Sequence, residues 1–427
     1  MTTVPDTQSA PPPGQVSQVV EHLFRHEAGK IVSALVRIFG PANLSLAEDV
    51  VQEALVRAMQ TWPYYGIPAN PAAWIMQVSK NLAFDAVRRD KVFRDKEKVI
   101  ADLSNPTTVD APDVHLSSEL DDDRLRMMFV CCHPVISPEA QVMLALKTLC
   151  GFGIGEIARA YLTNEDAVAK RLTRARQKIR DARVPFEIPA GNELSARLDA
   201  VLQTLYLLFN EGYKASTGKT LVREELCHEA IRMAEMLATH PSGDTEKTHA
   251  LLALMLFNAA RLTARTSEEG NLLRLKDQDR TRWDSAKIAR GFYHMMQSGA
   301  GDQLSDYHLQ AAIAACHCTA SDYDSTDWHR ILVLYDRLLE MDASPVIALN
   351  RAIALANVLG PAAGITAIAA IKDLNKLDDY YLLHAVLGEF EFQLNHREAA
   401  AKHFRNSLQL TEIKAEQTFL TEKLSAC

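Results

Sequence analysis

Apolar residues recur at helical spacing along nearly the whole chain, and this periodicity restricts the possible fold more than any other feature. Intervals of three and four residues continue from Val16 to the last residues, whereas alternating apolar and polar residues bounded by Asn-Gly or Asp-Gly turns do not occur. The pattern predicts an all-α protein. Because a single core usually serves about 100–200 residues, the length of 427 residues predicts at least two domains.

Composition divides the chain into segments. Residues 1–14 contain three consecutive prolines and no apolar run, which predicts a disordered tail and not a targeting signal. Residues 15–98 and 124–185 combine mixed charge with helical periodicity, whereas residues 99–123 are polar and acidic and predict a flexible linker. The Ala- and Leu-rich remainder, residues 190–427, predicts a further helical domain.

The net charge of −8, taken as an average, disfavours a nucleic-acid partner. This average is misleading because residues 1–183 contain 22 Lys and Arg and 22 Asp and Glu, which leaves 24 basic and 32 acidic residues beyond Arg183. The whole negative surplus belongs to the later part. The earlier part is electrically balanced, so its local clusters of positive charge determine whether it fits DNA.

The first helical block predicts a helix with one apolar and one acidic face. Ser45 and Glu48 have the spacing of a capping box, so this helix should begin there and continue through Trp62 until Pro63 ends it. Its apolar stripe consists of Ala47, Val51, Ala54, Leu55, Ala58 and Met59. Off that stripe lie the polar residues Asp49, Gln52 and Glu53.

A second helix is predicted to begin with Asn70 as its N-cap and Pro71 at the first helical position. It carries the aromatic residues Trp74 and Phe84. Cations gather in and beyond its second half, at Lys80, Arg88, Arg89, Lys91, Arg94, Lys96 and Lys98. A solvated helix and a DNA-binding surface with aromatic residues that stack on unpaired bases both explain this pattern, and spacing alone does not choose between them.

The second block has the spacing of a helix-turn-helix. Residues 156–160 predict a short helix, residues 162–164 predict a turn, and the next helix runs from Glu165 to about Arg180. The predicted core stripe of that helix is Val168, Leu172, Ala175 and Ile179. Cations at i, i+4 spacing share another face, which would fit a major groove: Lys170, Arg174 and Lys178, with Arg171 beside them.

Three stretches, residues 47–58, 73–89 and 156–176, occur in a diagnostic order. They resemble, in turn, the clamp-binding motif of region 2, the promoter-melting and minus-ten-reading helix, and the region 4 helix-turn-helix of extracytoplasmic-function (ECF) sigma factors. These are small members of the sigma-70 family. The resemblance covers roughly the first 185 residues, with a flexible connector where the family has one.

The resemblance implies a sigma factor that binds core RNA polymerase, through the largest-subunit clamp and the flap, and promoter DNA. It implies no enzyme activity and no cofactor. The implied clamp contacts are Asp49, Gln52 and Glu53, since carboxylates suit a basic partner. The implied minus-ten residues are Trp74, Lys80, Asn81, Arg88 and Arg89, of which Trp74 is expected to pack the helix. The implied minus-thirty-five residues are Lys170, Arg171, Arg174 and Lys178.

Part of the remainder resembles tetratricopeptide units. Residues 348–356 and 382–390, some 34 residues apart, resemble first helices of such units, and residues 398–404 resemble a second helix. Residues 208–213 and 275–284 depart from that repeat but resemble the C-terminal extension of one sigma subgroup, whose genes often neighbour those of small DGPF/YCII-like proteins. The resemblance implies a tetratricopeptide-like (TPR-like) regulatory domain that contacts the sigma domains or polymerase, with a DGPF/YCII-like protein as a further partner.

Other clusters favour structural interpretations. The histidine and cysteine clusters allow a metal or redox site, but helix packing and buried thiols are simpler explanations: His22 with His26, Cys131-Cys132-His133 and Cys316-His317-Cys318. A second set forms either a pocket or a buried network: Asn210, Glu211, Asp277, Asp279, Arg280, Arg282 and Asp284. Seven cysteines without bridge-like spacing predict a reducing cytoplasm, and no apolar stretch reaches the ~20 residues of a membrane helix.

Two other functional classes stay open at this point. A helix-turn-helix regulator would bind duplex DNA without polymerase. A TPR-type adaptor with incidental basic helices would show no promoter dependence. Only a sigma factor should require core polymerase for specific initiation.

Overall fold

The computed structural model describes residues 14–98, 118–161, 163–189, 192–214, 222–241, 243–267, 271–301 and 304–427. Within these ranges the secondary structure is helical apart from an isolated antiparallel bridge between Thr266 and Leu272, so the prediction of an all-α fold is confirmed. No helix in the same ranges is both long and apolar enough to cross a membrane. The predicted tail at residues 1–14, except Gly14, and most of the predicted linker at residues 99–123 lie outside the described residues.

The chain forms two compact units, residues 1–204 and 205–427. The boundary falls within helix α9. The helices up to that point are α1 (Gln15–His26), α2 (Ala28–Phe39), α3 (Leu44–Tyr65), α4 (Pro71–Lys98), α5 (Ser118–Cys131), α6 (Pro138–Leu149), α7 (Ile154–Ala160), α8 (Glu165–Asp181) and α9 (Asn192–Tyr213). The two regions predicted at residues 15–98 and 124–185 therefore lie within the first unit.

The core of the first unit surrounds α2, which is buried along most of its length. This helix contacts α3, α5 and α6. At Gly29 the approach of α6 is so close that a Cβ atom would overlap the backbone carbonyl of Leu149. The absence of a side chain at this one position thus determines how tightly α2 and α6 pack.

The bounds of α3 correct two sequence predictions. The helix begins at Leu44, directly after the 3-10 turn Pro41–Asn43, so the backbone is already helical at Ser45 and the predicted capping box is wrong. Pro63 lies inside the last turn, and the helix ends only before Gly66, whose φ of +82° suits a residue without Cβ. Met59 is 50% exposed and does not belong to the buried stripe.

The prediction for the start of α4 is confirmed. The Oδ1 atom of Asn70 accepts a hydrogen bond of 3.0 Å from the backbone N–H of Ala73, as an N-cap residue does.

At the C-terminal end of the predicted linker, Asp123 lies within α5 and is fully buried. Its carboxylate forms ion pairs with Arg37 at 3.2 Å and Arg126 at 3.1 Å. Asp123 is therefore part of the core of the first unit.

The second unit continues as paired helices. They are α10 (Glu224–Thr239), α11 (Glu246–Ala259), α12 (Ser285–Ser298), α13 (Asp306–Thr319), α14 (Trp328–Met341), α15 (Pro345–Leu359), α16 (Pro361–Ala369), α17 (Tyr381–Gln393), α18 (Arg397–Leu410) and α19 (Lys414–Ser425). The segments predicted as helices at residues 348–356, 382–390 and 398–404 lie in α15, α17 and α18. Gly388 of α17 leaves room for the ring of Phe404 on α18, so this helix pair packs closely.

Candidate nucleic-acid and polymerase interface

The exposed face of α3 is acidic at one end and apolar at the other. Asp49, Gln52 and Glu53 are exposed, as their positions off the apolar stripe predict. Val56 and Met59 continue this face along the helix and are 49% and 50% exposed. Glu53 forms an ion pair of 3.0 Å with Arg57 on the solvent side. Carboxylates beside apolar side chains suit a protein partner with a basic rim.

Glu48 on the same helix points to the interior and joins three helices. Its carboxylate accepts a hydrogen bond of 2.7 Å from the Oγ1 atom of Thr148 on α6. It also forms an ion pair of 2.7 Å with the Nε atom of Arg176 on α8, and the two side chains are 12% and 18% exposed. Glu48 therefore contributes to the structure of the first unit.

The polar face of α4 carries the residues implied in minus-ten recognition. Asn81, Arg88 and Arg89 are exposed, and Lys80 is half-buried. The Oδ1 atom of Asn81 accepts a hydrogen bond of 3.1 Å from Gln77. Arg89 donates to the backbone carbonyl of Asp85 on the preceding turn. Arg88 and Arg89 therefore carry their charges on the solvent side of α4. The structure does not describe the side chains of residues 90–98.

The aromatic residues of α4 pack against neighbouring helices. The ring of Trp74 meets the buried ring of Trp62 edge-on, with centroids 5.3 Å apart. The ring of Phe84 meets that of Phe39 in the same manner at 5.1 Å. Edge-to-face contacts of this kind stabilise a core beyond the area they bury. Both aromatic side chains thus hold α4 on the rest of the first unit.

The cations of α8 that face solvent form one row. The buried stripe of this helix is the predicted one, namely Val168, Leu172, Ala175 and Ile179. Lys170, Arg174 and Lys178 lie on another face and are exposed, and among the described residues none of the three has an ion-pair or hydrogen-bond partner. Asn164 caps the helix by accepting from the N–H of Ala167 at 2.9 Å.

The other cations of α8 have partners within the first unit. Arg171 pairs with Glu139 of α6, and Arg176 pairs with Glu48. Arg180 donates to the backbone carbonyl of Ala42 at 3.3 Å. The structure therefore divides the cations of this helix into a free row and a set with partners in the first unit, of which Arg176 is the one that faces inward. Arg171, one of the implied minus-thirty-five residues, belongs to the paired set.

A cleft of about 280 Å³ lies between α3 and α8. Asp49 and Gln52 line it on the α3 side, and Ala169 and Thr173 line it on the α8 side. Lys147 of α6 also lines the cleft, and burial lowers the pKa of its ammonium group. Two of the three residues implied in clamp binding thus face α8 within the first unit.

The cysteine and histidine clusters are part of the helical packing. Five of the seven cysteines are buried, and all seven are free thiols. Burial raises the pKa of Cys132 to about 12 and that of Cys318 to about 11, which disfavours the reactive thiolate. Among the described residues no group of three or more His, Cys, Asp or Glu could hold a metal ion.

The polar cluster at residues 277–284 consists mainly of local structural contacts. Asp277 pairs with Arg274 at 2.7 Å, and Arg282 donates to the carbonyl of Thr263 at 2.9 Å. Asp284 caps α12 by accepting from the N–H of Lys287 at 3.0 Å. Asp277, Asp279 and Arg282 are exposed, so these local contacts do not form the predicted buried network.

Arg280 in the same cluster fixes the end of α13. Its guanidinium donates to the carbonyls of His317 at 2.6 Å and Ala320 at 2.8 Å, and to Thr326 at 3.0 Å. Asp279 next to it caps a 3-10 turn by accepting from Thr281. Arg280 therefore replaces the missing helical partners of two carbonyl groups.

The sigma-70 region 2 family matches residues 23–92. This stretch contains the acidic face of α3 and the exposed polar face of α4. The chain therefore contains a sigma-70 region 2 domain. The matched stretch coincides with the part of the chain that carries two of the three motifs found in the sequence.

Other comparisons extend along the rest of the chain. It is 35% identical over 400 residues to an uncharacterized protein of Rhizobium meliloti (strain 1021), and the alignment covers 92% of each chain. Residues 197–299 match DUF6596, a family of unknown function. No solved structure matches the chain significantly.

Sequence reasoning missed the inward-facing ion pair between Glu48 and Arg176. In the sequence, Glu48 has the spacing of a capping-box residue, and Arg176 is one of several cations between residues 165 and 180. Both positions flank buried stripes, because Glu48 follows Ala47 and Arg176 follows Ala175, which are 2% exposed each. A charged residue beside an apolar stripe is the signal that could have indicated a partly buried ion pair.

Proposed function

We propose that the protein is an ECF-type sigma factor that binds core RNA polymerase and directs it to promoters with minus-ten and minus-thirty-five elements. The observation that carries the proposal is the sigma-70 region 2 match at residues 23–92, which contains an exposed acidic face on α3. A sigma factor carries out no chemistry of its own. It acts by positioning an enzyme on DNA, within the cytoplasm where transcription takes place.

The exposed face of α3 is the proposed surface for the polymerase clamp. Asp49, Gln52 and Glu53 supply the polar contacts, and the neighbouring Val56 and Met59 supply apolar area. This combination resembles an interface with an apolar centre and a charged rim. Contact with the flap is assigned to residues 124–185, as the ECF resemblance implies.

The exposed residues of α4 are the proposed minus-ten surface. Lys80, Arg88 and Arg89 would hold phosphates, because their cations are accessible to a strand that follows the helix. Asn81 would read an extruded base through its amide, and this requires the Gln77 hydrogen bond to be exchanged. Trp74 would support α4 from behind through its contact with Trp62.

The free row of α8 is the proposed minus-thirty-five surface. Lys170, Arg174 and Lys178 are exposed on one face, so this face can enter a major groove as the second helix of a helix-turn-helix does. Arg171 would join them only after leaving Glu139. The inward pair of Arg176 with Glu48 supports a structural role for Arg176.

The second unit is the proposed regulatory part. Close helix pairs such as α17 and α18, with Gly388 against Phe404, support a TPR-like arrangement. We assign to it the control of the sigma domains or of polymerase, in place of a separate inhibitor or beside one. A small DGPF/YCII-like protein is a proposed further partner. The acidic surplus of residues beyond Arg183 suits an interaction with basic surfaces.

Reconstituted transcription tests the proposal. The purified full chain is combined with core polymerase on a genomic promoter library, and transcript starts are sequenced. Specific starts that need both components support a sigma factor. Specific DNA binding without polymerase would instead identify a helix-turn-helix regulator, and the absence of promoter dependence would identify an adaptor.

Two variants sharpen this experiment. Asp49→Asn should weaken core binding about tenfold, because one charged interface contact contributes about 1.4 kcal/mol or more. Asp379→Asn replaces an exposed carboxylate in the second unit and should leave core binding unchanged. Equal core binding by the two variants would contradict the assignment of α3.

The regulatory assignment has its own test. A chain ending at residue 214 retains all of α9, and circular dichroism checks that its helices form. Its promoter-specific output should differ from that of the full chain at equal concentration. An unchanged output from a folded truncated chain would exclude regulation by the second unit.

A further inference from the structure

A cavity of about 450 Å³ lies in the second unit, with polar groups on several sides. One wall is a single face of α13, formed by Asp306, Gln310, Ala314 and His317 at spacings of four, four and three residues. The other lining residues that carry polar side chains are Tyr206, Asn258, Arg261, Tyr335, Asp342, Ser344 and Asn350. The volume falls in the range of about 300–1,000 Å³ that is typical of small-molecule sites.

One end of the cavity is cationic. The guanidinium of Arg261 lies over the ring of Trp283 at 5.2 Å and donates to the Oε1 atom of Gln278 at 3.4 Å. Arg261 has no carboxylate partner among the described residues, and the cation of Arg280 lies close enough to repel it. Asp322 lies near Arg280, whereas among the described residues no carboxylate pairs with Arg261, so an anion bound at Arg261 would offset the repulsion between the two cations.

His317 stands at the same end. Its Nδ1 atom is buried and has no hydrogen-bond partner among the described residues. Burial, together with the charges of Arg261 and Arg280, lowers the pKa of His317 to about 3, so its imidazole is neutral at physiological pH. A neutral ring offers one N–H donor and one acceptor. This buried nitrogen is a second indication, independent of Arg261, that the cationic end can take a hydrogen-bonding ligand.

The opposite end is acidic. Asp306 begins α13 and lies 11 positions before His317, which corresponds to about 16 Å along a helix. Burial raises the pKa of Asp306, and Asp342 adds a second negative charge nearby. The Nε2 atom of Gln310 donates to Asp306 at 3.4 Å, and Lys247 of α11 contributes an opposite charge. The groove therefore has opposite charges at its two ends.

The wall between the ends is suited to hydrogen bonding. The amides of Asn258, Gln310 and Asn350 all line the cavity. The Tyr206 hydroxyl donates to Gln310 at 3.0 Å and fixes the orientation of that amide. An apolar ligand would leave these groups without partners, which is unfavourable in a half-buried site. The wall thus favours a ligand with amide or hydroxyl groups along its length.

We propose that this cavity binds a small zwitterionic molecule, with its carboxylate or phosphate at Arg261 and His317, its amine at Asp306, and a hydrogen-bonding chain between them. The alternative is that Arg261 only supports Trp283 and Gln278. That packing role explains the position of the guanidinium, but it explains neither the unpartnered nitrogen of His317 nor the charge separation along the groove. Binding of this ligand does not depend on the sigma-factor assignment.

Calorimetric titration of the full chain tests the proposal with defined probes. Triglycine carries an amine, a carboxylate and two amides, so it should bind with one-to-one stoichiometry. Triglycine amide lacks the carboxylate and N-acetyltriglycine lacks the amine, and each should bind at least tenfold more weakly. Inorganic phosphate, titrated separately, shows whether the cationic end also accepts a phosphate group.

Variants assign each end of the ligand. Arg261→Gln should weaken the binding of triglycine at least tenfold and leave the binding of triglycine amide nearly unchanged. Asp306→Asn should weaken the binding of triglycine at least tenfold and leave the binding of N-acetyltriglycine nearly unchanged. Arg405→Gln removes an exposed cation of α18 and serves as the matched control, with binding expected to equal that of the original chain. Thermal unfolding without ligand checks that the variants fold.

The outcomes separate clearly. No binding of triglycine or phosphate to the original chain would overturn the proposal, as would equal affinities for the Arg261→Gln variant and the original chain. If phosphate binds in a manner that depends on Arg261 and triglycine does not bind, the proposal of a zwitterionic ligand is overturned and the cavity is an anion site alone. Because these readouts involve no polymerase, failure of the sigma assignment would leave them unaffected.

Discussion

The carboxylate of Glu48 on α3 lies 2.7 Å from the Nε atom of Arg176 on α8. This ion pair joins the helix proposed to bind polymerase to the helix proposed to bind the minus-thirty-five element. Thr148 of α6 donates to the same carboxylate at 2.7 Å. The three helices are thus linked through one largely buried acid, and the packing of the first unit depends on it.

Removal of either partner should destabilise the first unit. Glu48→Gln and Arg176→Met should each lower the free energy of unfolding by about 2 kcal/mol, because a partly buried charge loses its partner. The double variant should lose less stability than the two single variants added together, with a coupling energy of about 1–2 kcal/mol. Urea unfolding measures all four proteins.

The exposed pair on the same helix provides the control for that cycle. The side chains of Glu53 and Arg57 form an ion pair of 3.0 Å and are 51% and 47% exposed. Their coupling energy should therefore stay at about 0.3–0.5 kcal/mol. If the two couplings were equal, the inward pair would have no special part in holding α3 to α8.

Gly29→Ala should destabilise the protein although alanine is the better helix former. Helix propensity alone predicts a gain of about 0.5–1 kcal/mol inside α2. The added methyl group would overlap the backbone of Leu149, and overpacking of this kind should outweigh that gain and produce a net loss of about 1–3 kcal/mol. Gly299→Ala is the control, since its nearest neighbour would lie at an ordinary 3.5 Å, and unfolding curves should separate the two variants.

The two sets of cations on α8 should differ in how salt affects promoter binding. Each of Lys170→Ala, Arg174→Ala and Lys178→Ala should reduce the slope of log affinity against log salt by about 0.9, as expected for one lost phosphate contact. Arg176→Met should leave the slope unchanged, because its side chain faces Glu48. Holoenzyme binding to a promoter duplex at several salt concentrations gives these slopes, and a reduced slope for Arg176→Met would contradict the division of the helix.

His294 should make stability depend on pH below neutrality. Burial, followed by the charges of His249 and Arg290, lowers its pKa from 6.5 to about 4. Its Nδ1 atom lies 2.9 Å from the Nδ1 atom of His249, and the Nε2 atom of His249 lies 2.7 Å from Oδ1 of Asp244. Since the unfolded chain takes up the proton first, stability is complete above pH 6.5 and is lost as pH falls towards about 4.

The variant His294→Gln should show a weaker loss over this pH range. Because each pKa unit corresponds to about 1.4 kcal/mol and solvent screening reduces the effect, the difference should be about 1–2 kcal/mol. His329→Gln, which changes an exposed histidine of α14, is the control. Parallel pH profiles for all three proteins would show that His294 does not titrate as described.

Local periodicity was sufficient for much of the proposed interface. The buried stripe of α8 from Val168 to Ile179 and the exposure of Asp49, Gln52 and Glu53 followed from helical spacing alone. Predictions that relied on single residues as stop or start signals were less accurate. Ser45 does not cap α3, and Pro63 does not end it, because the neighbouring 3-10 turn and Gly66 decide those bounds.

The sequence by itself determined the all-α class, the order of the three motifs and the faces of α3 and α8 that are apolar or charged, since these depend on residues a few positions apart. Only the tertiary structure decided which charges turn inward. Arg176 and Lys178 belong to one basic helix, yet Arg176 meets Glu48 more than a hundred positions earlier in the chain, while Lys178 faces solvent. The cavity with Arg261 and Asp306 at opposite ends likewise depends on the packing of several helices, and the spacing within any one helix does not specify such packing.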